Sequence, residues 1–196
     1  MRLVLASSNR GKLDELRELL APTGYELIAQ SEFGIDDAEE TGGTFVENAL
    51  LKARHAARTT ALPALADDSG LLVDTRDGAP GLRSARFSGE HGNAAANNAL
   101  LIERLRDVSP DRRGAHFYCV LVLMHGADDP QPLIAEGVWR GSILEAPRGA
   151  QGFGYDPLFL PDGQTRSAAE LDPAMKNRIS HRGQALVALR EKLALP

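Results

Sequence analysis

Short apolar runs of strand length alternate with stretches of helical periodicity along the chain, and this alternation points to an α/β domain with a mixed central sheet flanked by helices. Leu3–Ala6 reads as a first strand and runs into the polar loop Ser7-Ser8-Asn9-Arg10-Gly11-Lys12. Leu13, Leu16, Leu19 and Leu20 then recur at helical spacing, with Asp14 and Glu15 expected in the first turn, where the helix dipole favours them. Gly24 closes that helix and Tyr25–Ala29 resumes as strand. Thr44-Phe45-Val46-Glu47 has the capping-box pattern and opens an alanine-rich helix to about Arg58. Leu62–Ala66 and Leu71–Val73 predict two strands around a turn at Asp67-Asp68-Ser69-Gly70. A glycine- and proline-punctuated loop follows at Gly78–Gly89, then a helix over Asn93 to Arg106 and a buried strand over His116–Met124. Leu133–Ile143 reads as strand interrupted by Gly137 and Gly141; Ser167 caps a short helix, and a last helix covers about Ser180 to Leu193. With 196 residues and no evident linker, one domain is expected over 1–196, any second lobe being an insertion within it.

Charge and composition narrow the function classes. A net charge of −5 with 5% aromatic residues argues against a broad nucleic-acid surface, while leaving room for a small anion in a local basic pocket. The single cysteine, Cys119, excludes an internal disulfide framework and any multi-cysteine zinc site. Leu3–Ala6 is too short for a signal-peptide core, and the aliphatic run around Cys119–Met124 falls far short of the roughly 20 residues a spanning helix needs. A soluble, cytoplasmic protein with no membrane partner is the expectation.

Several stretches could carry chemistry. A strand, a Ser/Asn/Gly/Lys loop and a helix start can hold a phosphate, because free N–H groups and the positive helix end face the anion. A Walker A motif would need Gly where Ala6 stands and Ser or Thr where Leu13 stands, so this is no P-loop NTPase; the alternative is an ordinary capped turn with a solvated lysine. Asp67 and Asp68 could supply a hard-oxygen ligand for Mg²⁺ or a general base, or merely form a turn. Glu39 and Glu40 read either as a source of a second metal ligand or as a solvated acidic run. Lys52 shares a helix face with Asn48 among small alanines, from which it could reach inward or lie on the surface. Gly152-Phe153-Gly154-Tyr155-Asp156-Pro157 frees an aromatic ring to stack on a base or to plug the core. Lys176 to Gly183 is the densest basic patch; His181 and Arg182 would sit in the first turn after Ser180, an awkward place for cations that an anionic ligand would explain.

Taken in order, these motifs resemble the inosine triphosphate pyrophosphatase family. The likeness rests on Ser7-x-Asn9-x-x-Lys12, on Glu39-Glu40-Thr41-Gly42 with Thr44-Phe45-x-Glu47-Asn48-Ala49, and on Ala66-Asp67-Asp68-Ser69-Gly70-Leu71. Gly78-Ala79-Pro80-Gly81, the Gly152–Pro157 stretch, Lys176 and Ser180-His181-Arg182-Gly183 extend it over nearly the whole chain. The resemblance implies Mg²⁺-dependent hydrolysis of deaminated purine nucleoside triphosphates (ITP, dITP, XTP) to monophosphate and pyrophosphate. It also implies an elongated, two-lobed α/β fold with a central cleft, and a homodimer. By the same resemblance the loop of Ser7, Ser8, Asn9, Arg10, Gly11 and Lys12 holds the triphosphate, Lys52 neutralises it, and Glu40 with Asp68 serves the metal. Asp68 is then the proton acceptor and Ser69 touches substrate, Phe153 stacks on the base, and Gly154, Tyr155 and Asp156 read its edge beside Lys176, His181 and Arg182. Position 7 is serine where the family often has threonine; either supplies a hydroxyl.

Two other readings compete: a related pyrophosphatase acting on modified pyrimidine or methylated nucleotides, and a nucleotide sensor that binds without turnover. Asp67 and Asp68 beside Lys12 count against the sensor, since a pure binder has no use for a water-activating base.

Overall fold

Six strands form one sheet in the order β2-β1-β3-β4-β5-β6 in a computed structural model that describes residues 2–20 and 24–193. The strands are β1 (Arg2–Leu5), β2 (Glu26–Ala29), β3 (Ala64–Val73), β4 (Gly114–Met124), β5 (Leu133–Ile143) and β6 (Phe159–Pro161). Five α-helices accompany them among the described residues: α1 (Arg10–Leu20), α2 (Phe45–Thr60), α3 (Ala94–Arg104), α4 (Pro173–Ile179) and α5 (His181–Leu193). The β1 strand is parallel to both β2 and β3, whereas β5 and β6 are antiparallel, so the sheet is mixed as expected. No described helix is long and apolar enough to cross a membrane.

Chain contacts divide the molecule into two compact units. The first comprises 1–68, 119–137 and 182–196; its core gathers Leu3, Leu5, Leu16, Leu20, Leu65, Leu121 and Leu186. The second comprises 69–118 and 138–181, with a core of Leu71, Val73, Leu101, Phe117, Trp139 and Phe159. In the second unit Phe117 meets Phe159 edge-on at 4.8 Å between ring centroids, a favoured aromatic geometry.

Three expectations are corrected. Residues 64–73 form one continuous strand, with no turn at Asp67-Asp68-Ser69-Gly70, because both carboxylates find cationic partners and need no solvated loop. The first helix begins at Arg10, so Asp14 and Glu15 lie beyond its first turn. The strand Leu133–Ile143 is not interrupted at its glycines. Gly141 instead permits close approach of β6, since a Cβ there would stand 2.3 Å from the Leu160 carbonyl oxygen. Thr44 caps α2 as anticipated by accepting from the Glu47 amide, whereas the short helix α4 ahead of Ser180 was not anticipated.

The close approach at Gly141 is testable. Gly141→Ala is expected to lower stability by about 1–3 kcal/mol in urea unfolding, the usual cost of overpacking. Gly126→Ala, where a Cβ meets nothing within 4 Å, serves as the comparison and is expected to stay close to wild type.

Candidate functional site

Parallel pairing of β1 with β3 sets the first cluster in place. Leu5 lies opposite Leu65, so Asp67 and Asp68 follow just beyond the end of β1, beside the loop 6–9 and the start of α1. Carboxyl ends of parallel strands are the usual binding edge of such sheets. In that loop Asn9 acts as the helix cap, its Oδ1 accepting from the Lys12 amide at 3.1 Å, and Ser7 Oγ accepts from the Asn9 amide at 3.2 Å. Arg10 and Gly11 form the first turn of α1, where backbone N–H groups remain available to an anion. Ser8 turns its hydroxyl to Asp37 Oδ2.

Neighbouring residues of a strand point to opposite faces, and Asp67 and Asp68 therefore have separate surroundings. Asp67 is completely buried. Its Oδ1 meets Lys12 Nζ at 2.5 Å, while its Oδ2 accepts from Arg182 Nε at 2.7 Å and from the Cys119 thiol at 3.3 Å. Burial by itself would push this carboxyl up, but Arg182 and then Lys12 outweigh it and hold Asp67 well below the usual carboxylate range. Arg182 is itself buried and pairs its second arm with Glu15 of α1. Burial and the Asp67 charge push the Cys119 thiol well up, so it remains a neutral donor.

Asp68 differs. Its Oδ1 accepts from Lys52 Nζ at 2.7 Å, and its second oxygen carries no hydrogen bond among the described residues. Burial raises this carboxyl above its ordinary value, a repulsion from Glu40 adds to the rise, and Lys52 and Lys12 only partly oppose it. Lys52 reaches inward from α2 over the small residues Ala49, Ala53 and Ala56. Its ammonium also bonds the Asp67 carbonyl oxygen at 2.9 Å and Glu40 Oε1 at 3.2 Å. Burial opposes its charge, yet Asp68, Glu40 and Asp67 together raise its affinity for the proton.

Glu40, Asp68 and the Asp67 carbonyl thus aim three hard oxygens at one cationic centre. No group of three or more His, Cys, Asp or Glu side chains is arranged for a metal among the described residues. Mg²⁺ needs no such cage: it usually takes one or two carboxylates and completes its shell with waters and substrate phosphates, so this donor set fits it.

The second unit assembles the aromatic residues. Asp156, buried, curls back to accept from the Phe153 amide at 2.9 Å and from Lys176 Nζ at 2.6 Å. The same ammonium lies 5.1 Å from the centroid of the half-exposed Phe153 ring. Gly152, at φ 74°, admits this fold-back because a Cβ there would stand 2.1 Å from Asp156 Oδ2. Tyr155 is core, its hydroxyl donating to the Ser84 carbonyl at 2.9 Å, and Asn98 Nδ2 holds the Gly154 carbonyl at 3.0 Å. His181 stacks on Phe117 with centroids 4.8 Å apart, and Ser69 is half-buried on β3.

The structure therefore brings Ser7, Asn9, Lys12, Glu40, Lys52, Asp68 and Arg182 into the first unit, and Ser69, Phe153, Gly154, Tyr155, Asp156, Lys176 and His181 into the second. Sequence reasoning missed Glu15, Cys119, Asn98 and Ser84. Only Glu15 left a trace, three residues after Lys12 on one helix face.

A model of the Ham1 family matches residues 3–192. The dITP/XTP pyrophosphatase of Xanthomonas campestris pv. campestris is 59% identical over 97% of this chain and 96% of its own length. That of Escherichia coli O157:H7 is 53% identical over 98% of each. A solved HAM1 protein from Coxiella burnetii superposes with a TM-score of 0.90 at 51% identity, over 98% of both chains.

The buried pair sets the acid response. Asp67 titrates lower when folded than its unfolded value of about 3.9. Its contribution is therefore complete above that value and is lost as pH falls toward the depressed folded one. Arg182→Met, which strands the carboxylate, is expected to cost about 3–5 kcal/mol in urea unfolding at neutral pH. Asp67→Asn is expected to be less stable at neutral pH and to show a flatter decline below about pH 4; an unchanged slope would remove Asp67 from this role.

Proposed function

Since the chain belongs to the Ham1 family, we propose that it hydrolyses deaminated purine nucleoside triphosphates (dITP, XTP and ITP) between the α and β phosphates, releasing monophosphate and pyrophosphate. The observation that carries this is the contrast between adjacent carboxylates. Asp67 is sealed and spends both oxygens on Lys12, Arg182 and Cys119, so it cannot meet a water. Asp68 keeps an oxygen and a raised proton affinity, the properties of a general base.

In this reading the amides at the start of α1, with Ser7 and Asn9, take the phosphate oxygens, and Lys12 and Lys52 balance the charge that grows on the departing pyrophosphate. Glu40 and Asp68 would hold Mg²⁺, which supplies Lewis-acid polarisation of the phosphates when bound. Asp68 takes the proton from the water that attacks the α-phosphorus, and pyrophosphate leaves with its bonding electron pair. The Phe153 ring stacks on the base. Donors at the 6-position suit a 6-oxo purine and are left unpaired by adenine, whose 6-amino group is itself a donor. A homodimer and a cytoplasmic location belong to the same reading, the first checked by light scattering.

The test is pyrophosphate release from dITP, XTP and ITP against ATP, GTP, and modified pyrimidine and methylated nucleotides, with and without Mg²⁺. Preference for the deaminated purines and dependence on the metal are expected; equal turnover of ATP overturns the selectivity, and binding without release identifies a sensor. Asp68→Asn is expected to lower kcat by at least about 10²-fold, the usual share of a general base. Because Asp68 works only when ionised and its carboxyl is raised, the acid limb of kcat/KM should fall above the ordinary value of about 3.9. That limb should be missing from the residual activity of the variant.

A further inference from the structure

We propose that Lys52 is a tethered cation that occupies the divalent-ion position of Glu40 and Asp68, and that a triphosphate must draw its ammonium away before the ion can enter. The inference rests on the reading above that these two carboxylates serve a metal.

An ammonium has three donors, and Lys52 directs one each to Asp68 Oδ1 at 2.7 Å, the Asp67 carbonyl at 2.9 Å and Glu40 Oε1 at 3.2 Å. Those oxygens come from two separate segments, the acidic loop before α2 and strand β3, and converge on this ammonium. They are also the hard-oxygen set that suits Mg²⁺. A metal entering while the ammonium is in place would lie beside a second positive charge at hydrogen-bond range of the same oxygens, and the repulsion between the two cations opposes its binding. The Lys52 side chain is 11% exposed, so its charge is largely removed from water and depends on these partners. A lysine is suited to this duty because its compact charge rides on a flexible four-carbon stem and can be handed from one anion to another. A triphosphate seated at the start of α1 would offer such an anion. The ion then enters together with nucleotide, and the carboxylates stay neutralised throughout.

Binding of Mn²⁺ to nucleotide-free protein, read by water-proton relaxation, tests this without recourse to activity. Lys52→Met keeps the length and removes the charge; Lys52→Gln repeats the comparison should the methionine variant fail to fold by circular dichroism. An occupant that holds the position nine-tenths of the time weakens apparent affinity about tenfold. The neutral variants are therefore expected to bind Mn²⁺ at least about tenfold tighter than wild type. Lys52→Arg should show no gain, and adding Asp68→Asn to Lys52→Met should abolish it. Equal affinity in wild type and Lys52→Met, or a gain that survives Asp68→Asn, overturns the proposal. If no variant binds Mn²⁺ even with an α,β-imido analogue of ITP, the metal reading fails and this inference falls with it.

Discussion

A fully buried carboxylate between two cations organises the first unit. Asp67 sits at the end of the parallel strands with no exposed surface, and its charge survives only because Arg182 and Lys12 lie within 2.7 Å of its oxygens. Breaking such a pair costs far more than forming it gains, because the surviving charge is left without compensation. The pair therefore constrains its neighbourhood more than it adds to net stability. It joins three distant parts of the chain: the loop into α1 through Lys12, strand β3 through Asp67, and the start of α5 through Arg182. Glu15 closes the arrangement by taking the other arm of Arg182, so α1 is held at its first turn by Lys12 and one turn later by Glu15.

That constraint explains how two adjacent aspartates can behave oppositely. The pleat of β3 sends Asp67 inward and Asp68 to the other face. One is held ionised and sealed; the other is raised, hydrogen-bonded by Lys52 and open on one oxygen. Neither property follows from residue type: two cations outweigh burial at Asp67, whereas at Asp68 burial prevails over Lys52 and Lys12. The same strand thus delivers, from consecutive positions, a sealed carboxylate and the one that the proposed function uses as its base.

Much of the fold was legible. Apolar strands, the Thr44 cap and the alanine-rich α2 announced themselves through local periodicity, whereas helical spacing left Lys52 either reaching inward past small alanines or lying on the surface, and the structure has it reach inward. The Asp67-Asp68 segment was read as a turn because two like charges in a strand are costly. The compensation comes from Lys12, fifty-five residues earlier, and Arg182, 115 residues later, which no local rule can see. Arg182 shows the converse. Its placement at a helix start, where cations are disfavoured, did signal an anion, but the anions it meets in the structure are Asp67 and Glu15 of the same chain. Tyr155 likewise shared a loop with Phe153 in the sequence, yet its ring is core while Phe153 remains half-exposed.

In the second unit, hydrogen bonds brace the loop that the proposed function sets against the base. Asp156 folds back on its own loop and spends one oxygen on both the Phe153 amide and Lys176, a closure possible only because residue 152 has no side chain. Asn98 pins the next carbonyl, and Tyr155 anchors the loop to Ser84. Adenine and a 6-oxo purine have nearly the same shape and differ in which edge atoms donate and which accept. A loop free to rotate its amides could satisfy either base, and the difference in hydrogen-bond polarity would then carry little penalty. Under the proposed function, a loop braced at four successive residues cannot turn its groups to suit the wrong base, and the mismatch is borne as polar groups left unpaired. Selectivity in such a site comes less from the groups that touch the base than from those that keep them from moving.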